Sequence, residues 1–240
     1  MNLLKRKLRE LRVAARRLFG REPRVIPTVK VPLEYHGRPD SGWCIAADSL
    51  NRESVVVDVG LGEDVTFSES VIAKYGSVVY GFDPTPRAIE FVKRRASPSI
   101  RLYESGLGAE RGTATLHLPN NPAHVSGSVS REAHLGRETV AVKLITIGDL
   151  FGLLECDRID LLKLDIEGAE YDVIGSSDFH MSANRIGQLC VEFHHRWATR
   201  GRESTIAAVE TLEALGFGCA WYSRSTNEEF LFVQQRLLRR

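Results

Sequence analysis

From residue 54 the chain alternates between two hydrophobic periods. "SVVVDV" is a short β-branched run, and "VTFSESVIAKYG" carries apolar residues at helical spacing before closing on Gly76. "SVVYGFD", "PRAIEFVKRRA" and "SIRLYES" repeat the strand–helix–strand rhythm. Such alternation through short turns predicts βαβ units and a doubly wound, mostly parallel α/β sheet. The rhythm breaks at "TATLHLP" and "ETVAVKLITI", two β segments around the polar stretch "NNPAHVSGSVSREAHLG". We read residues 112–146 as a β insertion rather than a second domain. Alternation resumes with "GDLFGLLE", "IDLLKLD", "GAEYDVIGS", "IGQLCVEFHH" and "STIAAVETLEALG". The end, "FGCAWYS" and "EEFLFVQQ" around the polar turn "RSTN", predicts an antiparallel hairpin.

The first 24 residues follow a different pattern. Leu4, Leu8, Leu11 and Ala15 recur at helical spacing among lysines and arginines, and Gly20 would stop the helix. Residues 1–24 hold nine Lys or Arg against two Glu, so the net charge of +1 conceals a basic extension on an acidic body. A basic amphipathic helix suits an anionic membrane surface or an acidic partner; the plainer alternative is a solvated extension packed on the domain. Residues 25–53 follow as a proline-spaced linker in which Tyr35, His36 and Trp43 could form a lid, and residues 54–235 form the main domain.

The 240 residues suit one large α/β domain, and no run approaches the roughly 18 apolar residues of a membrane span. Cys44, Cys156, Cys190 and Cys219 form no C-x-x-C pair, which argues against a zinc site or a disulfide framework and favours a reducing compartment. Charges interrupt the early leucines, unlike a secretory signal. The expected location is the cytoplasm; peripheral contact at the inner membrane surface through the basic helix is the alternative to a solvated extension.

The candidate chemistry starts at "VVVDVGLGEDVTF". Gly60 and Gly62 between a first strand and its helix would let a ligand approach the backbone. Asp83 ends the next strand, where a carboxylate grips a ribose diol in dinucleotide binders and in S-adenosylmethionine binders alike. Glu63 and Asp64 separate the two. A pyrophosphate about 4 Å from a carboxylate would meet about 4 kcal/mol of repulsion at an effective dielectric near 20, against about 1 kcal/mol returned by a helix dipole. S-adenosylmethionine instead carries a sulfonium and an ammonium, which carboxylates favour. Val65 also stands where the dinucleotide fingerprint has its third glycine. Asp58 needs a partner if it is buried at a strand end.

These residues, with "YGFDPTP", "ESGLGAERGTATLHL", "LLKLDIEGAE" and "LCVEFHH", resemble the FkbM-type branch of the class I S-adenosylmethionine-dependent methyltransferases from about residue 54 to 233. The resemblance implies a Rossmann-like, seven-stranded sheet with its last strand antiparallel. It also implies methylation of a hydroxyl on a sugar, glycolipid or natural-product acceptor. Carried over by position, Asp58, Gly60, Gly62 and Asp64 would border the methionine end of the cofactor and Asp83 its ribose. Ser105, Gly106 and Leu107 would lie near the adenine, and Asp165 beside the transferring methyl. Many members read D-x-G-A-N-x-G in the first turn, where this chain has "DVGLGED".

Methyl transfer from a sulfonium needs alignment and removal of the acceptor's proton. His194 and His195 are the preferred proton acceptors because imidazole titrates near neutrality, and strand alternation aims at most one of them at the substrate. Glu167 is the second candidate and Glu192 the third, with Glu170 a helix-dipole partner and Lys163 paired with one of the acids. Their spacing matches no recognised metal signature, so no metal is assigned. The partner expected is a small-molecule or glycan acceptor and not nucleic acid, because the body is acidic and no proline-aromatic base-holding run follows the fourth strand. The alternatives are a nicotinamide-dependent oxidoreductase on a Rossmann-type sheet and a non-catalytic, methyltransferase-like binding module.

Overall fold

The structure, a computed structural model, describes residues 3–39, 41–119, 127–129 and 135–237. Helix α1 (Leu3–Leu18) leads to an antiparallel hairpin of β1 (Leu33–His36) and β2 (Trp43–Ala46). The alternating body begins with β3 (Val56–Val59), α2 (Thr66–Tyr75), β4 (Val79–Phe82), α3 (Pro86–Arg95) and β5 (Ile100–Tyr103). Three further strands, β6 (Gly106–Leu107), β7 (Gly112–Pro119) and β8 (Leu135–Ile145), form a small separate sheet. The second half comprises α4 (Ile147–Leu153), β9 (Ile159–Leu164), α5 (Glu170–Gly175), α6 (Ser177–Ser182), β10 (Ile186–Glu192) and α7 (Arg202–Ala214). It closes on β11 (Phe217–Tyr222) and β12 (Glu229–Gln234).

The main sheet has seven strands in the order β11-β12-β10-β9-β3-β4-β5. β3, β4, β5, β9 and β10 pair in parallel, and β12 runs antiparallel to both neighbours. The expected doubly wound sheet with a terminal hairpin is what the chain forms. Winding starts at β3 and proceeds outward through β4 and β5, then returns to the other side of β3 with β9. Residues 55–60 therefore sit at the switch of direction, where open α/β sheets bind ligands beyond the strands' carboxyl ends.

Alternation along the strands builds two cores. Val57, Val59, Leu162, Leu164, Leu189 and Val191 face one layer with Phe151, Ile174 and Leu212. Val56, Leu161, Cys190 and Leu231 face the other with Trp43, Phe67 and Val71. Two-sided burial is why these strands read as continuous apolar runs rather than alternating ones. Asp58 and Lys163 fall on the second face as cross-strand partners in register.

Three expectations change in detail. Within the proline-spaced linker of residues 25–53, Leu33–His36 and Trp43–Ala46 pair as a hairpin, docked by Gln188, whose Oε1 accepts from Ala46 N at 2.7 Å. The β insertion forms its own sheet, although residues 120–126 and 130–134 of its polar stretch lie outside the described residues. A further short helix, α6, separates α5 from β10; the Ser176 hydroxyl caps it by accepting from Phe179 N at 3.1 Å.

Candidate active site

A cavity of about 440 Å³ opens over the carboxyl ends of β3, β4 and β9, within the size range of small-ligand sites. Its floor is the turn after β3. Gly60 has φ +86, and a Cβ there would lie 1.7 Å from Asp165 O, so only glycine lets β3 and β9 end side by side. Gly62, at φ +55, has nothing within 4 Å of its would-be Cβ, which leaves its backbone open to the cavity. Asp83 organises this turn from β4. It is 4% exposed; its Oδ2 accepts from Gly62 N at 2.9 Å and its Oδ1 from Thr85 N at 2.8 Å. Burial pushes its carboxyl up from the ordinary value, opposed by those two backbone donors.

Asp58 does not line the cavity; it lies beneath it, accepting from Lys163 Nζ at 2.9 Å and Ser68 Oγ at 2.6 Å. This supplies the partner that a buried strand-end acid requires. Lys163 also reaches Gly60 O at 3.2 Å, stands 3.7 Å from Asp165 Oδ2 and lies 5.4 Å over the Trp43 ring. Burial would discharge it, but the carboxylates of Asp58 and Asp165 hold its pKa above the usual lysine value. The Asp58–Lys163 pair thus fixes the turn after β3 against the end of β9.

Charge dominates the lining. Glu63, Asp64, Asp83, Asp165 and Glu167 border the cavity, and Lys163 is the cation among the described lining residues. The detail at 63 and 64 corrects the sequence argument. Glu63 is held by Arg87 at 2.8 and 2.9 Å, and Asp64 Oδ1 accepts from Thr66 N and Oγ1 at 3.0 and 2.6 Å. Glu63 is therefore largely neutralised, and Asp64 is tied to Thr66, the first residue of α2. Asp64, Asp165 and Glu167 then carry the negative character of the described lining beside Lys163.

The opposite wall is apolar: Leu107 with Leu116, Val129 and Leu144. Gly106 and Leu107 thus border the cavity, whereas Ser105 lines a separate hollow with Tyr103 and Arg111. The contributions of Leu116, Gly127 and Val129 were not anticipated, because nothing in the insertion's polar sequence says that it folds back over the sheet. Alternation did mark Leu116, which is 4% exposed within an exposed strand. Of the suggested lid, Trp43 lines the cavity, while His36 is held by Glu34 and Ser70 at 2.8 and 2.9 Å and Tyr35 ties its own hairpin.

The candidate proton acceptors separate clearly. Only Glu167 reaches the cavity. It has φ +53, a left-handed conformation that a non-glycine residue adopts at some energetic cost, and its carbonyl accepts from Ser128 Oγ of the insertion at 2.6 Å. His194 sits behind it, with Nε2 3.2 Å from Glu167 Oε2 and Nδ1 3.2 Å from Glu170 Oε1. Burial opposes its charge, yet Glu170 and Glu167 raise its pKa well above the ordinary histidine value. Set between these two acids and outside the cavity lining, His194 is placed to position Glu167. His195 points to the other face, where Nε2 meets Glu22 Oε2 at 2.5 Å and is buried from the cavity. Glu192 lies outside the lining, and burial, Asp165 and Glu229 push its carboxyl well above the usual range. Neither histidine thus lines the cavity: His194 packs behind Glu167 and His195 against Glu22.

Asp165, Glu170 and His194 each offer one ligand atom within 4.8 Å of one another. The His194 ring is also shared with Glu167, 3.2 Å from its Nε2. Glu170 is fully buried, with Oε1 accepting from Ile166 N at 2.8 Å. It belongs to this cluster more than to its helix dipole.

The chain is 26% identical over 190 residues to "Methyltransferase 1" of Beauveria bassiana, covering 68% of this chain and 76% of that protein. It is 25% identical over 174 residues to "Probable methyltransferase-like protein 24" of Rattus norvegicus, covering 70% of this chain but 41% of that one. Among solved structures, an rRNA methylase from Streptococcus thermophilus superposes with a TM-score of 0.46 at 14% identity, over 78% of this chain and 88% of that one. Aeropyrum pernix fibrillarin with natively bound S-adenosyl-L-methionine gives a TM-score of 0.44 at 10% identity, over 78% and 68%. The family description "Methyltransferase FkbM domain" matches residues 46–219. The chain therefore belongs to the FkbM methyltransferase family, and its cofactor is S-adenosylmethionine.

Proposed function

We propose that this methyltransferase transfers the methyl group to a hydroxyl of a small-molecule or glycan acceptor (a sugar, glycolipid or natural-product scaffold) in the cytoplasm. The observation that carries this reading is the pair of carboxylates, Asp165 and Glu167, at the cavity's edge beside the buried His194–Glu170 pair. The same acids oppose entry of a polyanion, which supports a small acceptor over a nucleic-acid strand. The free cysteines among the described residues suit a reducing compartment.

S-adenosylmethionine, when bound, supplies an electrophilic methyl group on a sulfonium. The chain's residues supply position and proton transfer. Asp83 and the open Gly62 backbone suit the ribose end, the apolar wall of Leu107, Leu116 and Leu144 suits the adenine, and Asp165 favours the cationic end. Glu167 takes the hydroxyl proton as the oxygen forms its bond to the methyl carbon. With the cofactor bound, the sulfur–carbon electron pair would leave with the thioether, which balances the proton taken by Glu167. His194 holds Glu167 and Glu170 in place, a positioning role.

Glu167→Gln is expected to lower kcat by about 10² to 10⁴, the usual contribution of a general base, while the cofactor still raises the melting temperature. The assay is methyl transfer to a panel of hydroxylated acceptors, with RNA as a separate arm. Transfer to RNA alone, or undiminished transfer by the variant, would contradict the proposal.

The pH dependence follows from Asp165. Burial and then the neighbouring Glu167 and Glu170 carboxylates raise its pKa to about 6, against the pull of Lys163 and His194. The folded chain thus binds a proton more tightly here than the unfolded chain. This group adds stability to the ligand-free protein as pH falls through about 6 towards its ordinary value. A sulfonium prefers the ionised form, so cofactor affinity is expected to weaken over that same fall in pH. Asp165→Asn should flatten the profile.

A further inference from the structure

The function above leaves α1 unexplained. Leu4, Leu8, Leu11, Ala15 and Leu18 follow one another at four- and three-residue steps and lie along one stripe of the helix. A second stripe of Arg6, Glu10, Val13 and Arg17 lies on the opposite side, displaced by two residues. The second stripe faces the domain. Val13 is buried, and Arg17 donates to Val25 O at 2.8 Å and to Asn227 Oδ1 at 3.3 Å while lying 4.4 Å over the Tyr222 ring. An amphipathic helix ordinarily turns its apolar side inward, and this one is inverted. Leu8 is 47%, Leu11 67%, Leu18 82% and the adjoining Phe19 75% exposed.

The inversion is fixed by a built anchor. Glu22 is 1% exposed and accepts from Arg196 at 3.0 and 3.1 Å, with His195 at 2.5 Å; Arg16 stands 3.5 Å away. Burial works against its charge, but the His195 hydrogen bond and the Arg196 cation hold its pKa below the usual value. Arg202 closes the turn by donating to Gly20 O at 2.6 Å. His195, adjacent to the active-site cluster in sequence, thus serves to seat the N-terminal helix.

We infer that α1 is a surface anchor whose apolar stripe enters an anionic lipid bilayer in the plane of the headgroups. The charges around the stripe select that occupant. Lys5 and Lys7 are exposed on either side of it and form no ion pair among the described residues, while the exposed Arg9, Arg12 and Arg16 carry the basic surface down to the hollow they line with Val13 and Arg196. Glu10, the acid within the helix, is taken up by Arg6 at 3.1 Å on the domain side. A second copy of the chain would bring two such basic flanks together, whereas anionic headgroups complement both sides of the leucine row. No helix among the described residues is long and apolar enough to cross a membrane, so the contact is with the surface.

The test is flotation of the full chain with vesicles of phosphatidylcholine alone and of phosphatidylcholine with phosphatidylserine. The chain is expected to float with the anionic vesicles, to be released by raised salt, and to float poorly with the neutral ones. Leu8→Glu with Leu11→Glu should reduce partitioning by about tenfold or more, since both side chains would leave the lipid. Because both are exposed, the melting temperature of that variant should match the wild type, a control independent of methyl transfer. Equal binding to both vesicle types, no binding, or binding indifferent to the double substitution would overturn the inference. Concentration-dependent dimerisation abolished by the double substitution would also overturn it, assigning the stripe to a second copy.

Discussion

Replacing Asp83 by alanine is expected to remove nearly all of the thermal stabilisation that S-adenosylhomocysteine gives the wild-type chain. Asp83 is buried beneath the turn after β3, and its two oxygens already receive Gly62 N and Thr85 N. Each oxygen keeps a further lone pair for a ribose hydroxyl. Hydrogen bonds to a charged group are worth about 1.5–3 kcal/mol each, so losing two weakens binding by about a hundredfold or more. At ligand one hundred times the wild-type Kd, stabilisation would fall from about 2.7 to about 0.4 kcal/mol. The ligand-free variant should remain folded, because the carboxylate that is lost is one whose charge burial disfavours. Asn at this position keeps one carbonyl acceptor and should give an intermediate shift. A full shift with Asp83→Ala would show that the cavity holds its ligand elsewhere.

Gly60 and Gly62 are expected to respond to alanine in opposite ways. A Cβ at Gly60 would sit 1.7 Å from Asp165 O, a backbone atom that cannot swing aside. Relief requires parting β3 from β9 at the centre of the sheet, so we expect a loss of about 3 kcal/mol or more and little folded protein. A Cβ at Gly62 meets nothing within 4 Å, leaving only the cost of its φ of +55, about 1–2 kcal/mol. Gly62→Ala should therefore fold, yet bind cofactor weakly because the methyl group occupies the approach to the turn. Circular dichroism melting with and without S-adenosylhomocysteine separates the two outcomes. A stable Gly60→Ala or a fully binding Gly62→Ala would contradict the described turn.

The sheet was legible because buried parallel strands announce themselves: "SVVVDV" and "IDLLKLD" are apolar on both faces, and their helices end at glycines. Asp83 and the Gly60–Gly62 turn were legible because position after a strand fixes their role. The β1–β2 hairpin was hidden by the prolines around it, although Trp43, Cys44, Ile45 and Ala46 are all buried. Site electrostatics were legible only in sign. Sequence places Glu63 in the turn but cannot show that Arg87, 24 residues later, neutralises it. Nor can it show that His194 lies between two acids and His195 against Glu22, since those partners are set by packing over distances of up to 173 residues. Alternation did predict that the two histidines part company. It could not say which acid each would meet.

Titration calorimetry of the wild-type chain with S-adenosylhomocysteine and, separately, with NAD tests the cofactor assignment most directly. A cavity whose described lining sets Asp64, Asp83, Asp165 and Glu167 around one lysine should take up the thioether product with one-to-one stoichiometry and leave NAD unbound. Saturable heat from NAD and none from S-adenosylhomocysteine would contradict it.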